Sequence, residues 1–82
     1  MKIHLLAFGP AKDWLGNSQQ EIDIPEGMQL FEFCEWLKSR YRNIPRTAPY
    51  AIALNQNYVE PNSQTKLEPK DEIAIIPPVS GG

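Results

Sequence analysis

Hydrophobic and polar residues alternate along the first stretch of the chain. Between Lys2 and Phe8, the residues Ile3, Leu5 and Ala7 share one face of an extended strand, and His4, Leu6 and Phe8 share the other. Both faces are largely apolar, whereas a sheet with one solvated side carries more charge there. Gly9-Pro10 ends this strand, and Ala11-Lys12-Asp13-Trp14-Leu15 is expected to form one helical turn stopped by Gly16. A second strand over 20–24 turns Ile22 and Ile24 inward and Glu21 and Asp23 outward, and Pro25-Glu26-Gly27 closes it.

From Leu30 the period lengthens to that of a helix. Leu30, Phe33, Cys34, Leu37 and Tyr41 form one stripe, with Glu32, Glu35 and Ser39 opposite. Gln29 and Glu32 have capping-box spacing, but glutamine is a poor N-cap and specifies this start weakly. Pro45 and Pro49 bracket a loop. A third strand is expected over 50–54, then a turn at Asn55-Gln56-Asn57, because asparagine tolerates left-handed backbone. Tyr58-Val59 reads as a short fourth strand, 61–69 as irregular, Lys70-Asp71 as a turn and 72–76 as the last strand. The predicted order is β-β-α-β-β-β, an α+β fold in which one long helix covers one face of a mixed sheet.

With 82 residues the chain has length for one domain, expected over 1–76, with 77–82 as a flexible C-terminal tail. A net charge of −2 gives no electrostatic footprint for nucleic acid. Lys38, Arg40 and Arg42 cluster where the helix should end, a place that favours cations in any protein. The one cysteine excludes an internal disulfide framework and a cysteine-based metal site, and a single histidine makes other metal sites unexpected. The opening apolar run is too short for a signal peptide, and no stretch approaches membrane length. A cytoplasmic protein that binds neither nucleic acid nor membrane is expected.

The usual catalytic groups do not assemble. His4 sits mid-strand and reads as a contact residue on the outer sheet face, and Cys34 lies on the apolar stripe as a small core residue. The carboxylates Glu32, Glu35, Asp71 and Glu72 read as solvated face and turn residues. No glycine-rich phosphate loop is present, so any ATP must be bound by another protein. What remains is the ending Pro77-Pro78-Val79-Ser80-Gly81-Gly82. Two prolines stop the strand and favour an extended, solvated form. Small residues and a diglycine suit entry into a narrow channel, and six extended residues reach about 20 Å. A carboxylate is a poor electrophile until its leaving group is improved. Adenylation does this, and a sulfur donor can then convert the acyl-adenylate to a thiocarboxylate.

These features resemble the small subunit of molybdopterin synthase, a sulfur carrier with the ubiquitin-like β-grasp fold. The resemblance rests on the ending from Asp71 to Gly82, on Ala51-Ile52-Ala53-Leu54-Asn55 and on Lys2-Ile3-His4-Leu5-Leu6-Ala7. Lys12-Asp13-Trp14-Leu15-Gly16 adds weaker support, with lysine where the family has arginine. The resemblance implies that Gly82 is adenylated by an activating enzyme using ATP and then carries sulfur as a 1-thioglycine. Pro77, Pro78, Val79, Ser80 and Gly81 would thread into a large subunit, where the sulfur passes to cyclic pyranopterin monophosphate to build the molybdopterin dithiolene. It further implies a heterotetramer of two small and two large subunits, no cofactor on this chain, and a contact patch at Leu6, Tyr58 and Ile76 flanked by His4 and Phe8. Carriers for thiazole synthesis or tRNA thiolation share the adenylation logic, and a ubiquitin-like modifier would end in an isopeptide bond instead.

Overall fold

The computed structural model describes residues 1–44 and 50–77. Its elements are β1 (Lys2–Ala7), α1 (Ala11–Leu15), β2 (Gln19–Asp23), α2 (Leu30–Arg40), β3 (Ala51–Leu54), β4 (Asn57–Val59) and β5 (Glu72–Ile76). The β-β-α-β-β-β order is as expected, and the single helical turn after β1 is α1. That turn ends at Gly16, whose φ of 82° lets its N–H return to the Lys12 carbonyl at 2.8 Å.

The five strands form one mixed sheet in the order β2-β1-β5-β3-β4. β1 pairs antiparallel with β2 and parallel with β5, and β3 pairs antiparallel with both β5 and β4. β5 therefore lies in the middle of the sheet. In its apolar run Ile73 and Ile75 enter the core under α2, while Ala74 and Ile76 face the other side of the sheet, where Ala74 is buried as well.

Ile3, Leu5, Ile52, Ile73 and Ile75 point from the sheet to meet Leu30, Phe33, Cys34 and Leu37 of α2 in one core. Burying a side chain of this size contributes about 1.5–3 kcal/mol. The helix stripe is thus the one the 3.6 period marks. At its C-terminal end Trp36 stacks on Phe33 with centroids 5.7 Å apart, and Arg40 lies 6.0 Å from the Trp36 ring and 5.8 Å from that of Tyr41.

Gln29 alone specifies the start of α2 weakly, and the fold supplies the rest. The Gln29 N–H donates to Glu32 Oε1 at 2.9 Å, one arm of a capping box. The next two amides, Leu30 and Phe31, donate to the carbonyls of Thr65 (2.8 Å) and Ser63 (3.0 Å). The segment after Pro61 is irregular, as expected, yet it satisfies helix donors that otherwise lack a partner. Leu67 fixes it by entering the core, only 2% exposed.

Several boundaries move by a residue. β1 stops at Ala7, β2 begins at Gln19, β3 begins at Ala51, and Asn57 belongs to β4 rather than to the turn. The hairpin loop is Asn55-Gln56, both at positive φ (51° and 72°), the two-residue type I′ geometry whose twist matches its strands. Glu68-Pro69-Lys70-Asp71 forms a turn closed by the Asp71 N–H to the Glu68 carbonyl at 3.1 Å. Lys70 sits at φ 70°, so the turn keeps a shape that glycine favours without having glycine.

Candidate functional site: the outer sheet face

The face of the sheet opposite α2 carries the residues singled out from sequence. Strand alternation puts His4, Leu6 and then Phe8 on it from β1, and the Phe8 N–H continues the ladder to the Ile75 carbonyl at 3.1 Å. Register aligns Leu6 with Ala74, Ala74 with Ala53, and Ala53 with Tyr58. One apolar row thus crosses β1, β5, β3 and β4. Ile76, paired with Ala51, lies in the next row toward the C-terminal side. His4 stands in the row on the other side, opposite Glu21 on β2 and Glu72 on β5.

Tyr58 is 74% and Phe8 48% exposed, His4 is exposed, and Leu6 and Ile76 are half-buried. Phe8 and Leu6 are not hidden beneath the chain's own loops. Ala53 and Ala74 are each only 6% exposed, yet neither belongs to the core beneath α2. They form the low floor of the face, with Leu6 on one side and Tyr58 on the other. Their signal in the sequence is the alternation of small with large residues in Ala51-Ile52-Ala53-Leu54 and Ile73-Ala74-Ile75-Ile76. It marks an outer face only once the strand neighbours are known.

A second missed residue is Asn55. Its N–H donates to the Glu72 carbonyl at 2.7 Å, and its Oδ1 accepts the Glu72 N–H at 2.9 Å. Its Nδ2 donates to Asp71 Oδ1 at 2.9 Å, while Asp71 Oδ2 accepts the Glu68 N–H at 2.7 Å. Asp71 is therefore tied into the turn network rather than simply solvated.

The sheet separates the one cysteine of the chain from its one histidine. Cys34 is buried on the α2 side, where desolvation pushes its thiol up to about 11, and His4 faces out on the opposite side. A thiol held so far above neutral pH is protonated and inert. Tyr50 is also raised, first by burial and then by Cys34 and Glu35. Among the described residues no three His, Cys, Asp or Glu gather as a metal site, and no helix is long and apolar enough to cross a membrane. Pro77, the first residue of the expected tail, is buried at the end of β5. Pro78, Val79, Ser80, Gly81 and Gly82 lie outside the described residues.

A mixed five-stranded sheet clasping one main helix places the domain in the ubiquitin-like β-grasp class of small α+β folds. A Pyrococcus furiosus protein described as a putative molybdopterin converting factor subunit 1 has the same fold. It superposes with a TM-score of 0.84 at 24% identity, covering 96% of this chain and 99% of that one. Residues 5–82 match the ThiS family, and the chain belongs to that family. A Dictyostelium discoideum molybdopterin synthase sulfur carrier subunit is 38% identical over 83 residues, covering 99% of this chain and 96% of the relative. The structure of the complex of subunits 1 and 2 of the Helicobacter pylori molybdopterin-converting factor supplies a further match. It has a TM-score of 0.72 and 29% identity over 100% of both chains.

Proposed function

We propose that this chain is the sulfur-carrier subunit of a molybdopterin synthase. The observation that carries this reading is the 38% identity to a sulfur carrier subunit across nearly the full length of both proteins. In this scheme the Gly82 α-carboxylate attacks ATP held by an activating enzyme, releasing pyrophosphate and leaving a glycyl adenylate. A sulfur donor then displaces AMP to give the thiocarboxylate. The large subunit receives the loaded end, threaded through Pro77 to Gly81, and transfers its sulfur to cyclic pyranopterin monophosphate. Two such transfers build the dithiolene. The chain binds no cofactor of its own and works in the cytoplasm, in an assembly of two small and two large subunits.

The outer face along the row from Leu6 to Tyr58, with Ile76, Phe8 and His4 around it, is the docking face for the large subunit. What supports this is its make-up: Phe8 and Tyr58 are exposed and Leu6 and Ile76 half-buried on one sheet face, and apolar side chains left open together mark an interaction site. The complex formed by the Helicobacter relative points to a partner of the same kind.

The test is intact mass after incubation with the activating enzyme, ATP and a sulfur source. One oxygen exchanged for sulfur at Gly82 is the expected result. An unchanged mass beside a demonstrably active partner would reject the reading. Conjugates that survive denaturation in cell extract would instead favour a ubiquitin-like modifier.

A further inference from the structure

At the start of β5 a side chain does the work of a backbone carbonyl. In the β3–β5 ladder Leu54 pairs with Ile73, so Asn55 should exchange two backbone bonds with Glu72. One forms, from the Asn55 N–H to the Glu72 carbonyl. The other does not, because Asn55 has entered the left-handed turn and its carbonyl instead accepts Asn57 Nδ2 at 3.1 Å. Asn55 Oδ1 takes the vacant place and accepts the Glu72 N–H. The amide's orientation is set by Asp71 Oδ1 on its other arm, and Asp71 is itself held by the Glu68 N–H. Both polar backbone groups of Glu72 are thus gripped by one residue, which is locked by a carboxylate.

Strand alternation settles which β5 side chains face outward. It does not settle how far β5 runs past its neighbours: a shift of two residues keeps the alternation and moves every side chain by about 7 Å. The grip on Glu72 opposes that shift. We propose that Asn55 and Asp71 are positioning residues, a clamp that fixes β5 lengthwise. It thereby sets where Ile76 and the root of the C-terminal segment stand relative to Leu6 and Tyr58. This rests on the sulfur-carrier reading above.

The bonding pattern supplies its own test. Asn55→Asp brings two carboxylates face to face, and Asp71→Asn leaves two amide donors in conflict. The double exchange restores every bond. The carboxylate now at position 55 accepts from the Glu72 N–H and from the amide now at position 71, whose oxygen accepts the Glu68 N–H. The full chain, loaded at Gly82, is measured for affinity to the large subunit and for single-turnover sulfur transfer at saturating large subunit. Each single variant is expected to lose about tenfold in affinity, the scale of one charge-assisted hydrogen bond, and to transfer sulfur more slowly. The double exchange should return both to near wild type. Should a single variant fail to fold, Asn55→Gly keeps the left-handed turn and removes only the side-chain bonds. Folded single variants, or Asn55→Gly, that bind and transfer as wild type would overturn the proposal. So would a double exchange that recovers melting temperature but not binding. Failure of the carrier reading looks different: the wild-type chain itself would neither load sulfur nor bind the large subunit.

Discussion

Lys70 occupies backbone space that glycine enters freely. Pro69 fixes the preceding φ, the Asp71 amide closes the turn, and Lys70 is left at φ 70°, where its Cβ crowds the backbone. Lys70→Gly should therefore stabilise the domain by about 1 kcal/mol, read as a higher urea midpoint at unchanged slope. A lower midpoint would mean that the lysine's unfolded-state advantage outweighs the strain. At this scale the sequence was legible where one residue type answers one local demand. Cys34 on its stripe and Gly16 after its turn are such cases. At Lys70-Asp71 the turn was legible but its left-handed backbone was not, because no local rule assigns a lysine to that conformation. Asn55 was legible only in part: its tolerance for the turn could be read, but not its hold on Asp71 and Glu72, which are distant in sequence.

Among the elements, α2 shows what periodicity can and cannot reveal. Its buried stripe follows from spacing alone, since side chains three and four apart share a face. Its beginning does not, because the partners of Leu30 and Phe31 are main-chain carbonyls at Thr65 and Ser63, and a carbonyl leaves no mark on a hydropathy pattern. The anchor holding that segment in place is Leu67. Leu67→Ala should cost about 2–4 kcal/mol, more than an exposed-loop substitution, and should raise amide exchange at Leu30 and Phe31 selectively. A loss below about 0.5 kcal/mol in a denaturation series would show that the segment does not support the helix.

For the whole molecule, the decisive fact is which strands lie side by side. Sequence showed that β1 is apolar on both faces. The resemblance put Tyr58 in one patch with Leu6, but alternation alone could not show the row through Ala74 and Ala53 that joins them, because that depends on the order β1-β5-β3-β4. Leu6 sits in that row only half-buried, outside the core cluster. Leu6→Asp should leave the melting temperature within a few degrees of wild type while abolishing co-elution with the large subunit on gel filtration. Co-elution at wild-type level would show that the outer face is not where the partner sits.

The central place of β5 carries a consequence for how the protein comes into being. Its two flanking neighbours, β1 and β3, are both translated before it, and without it they have no contact with each other across the sheet. The sheet cannot close until β5 has emerged, so a chain broken off before this strand never acquires the joined outer face.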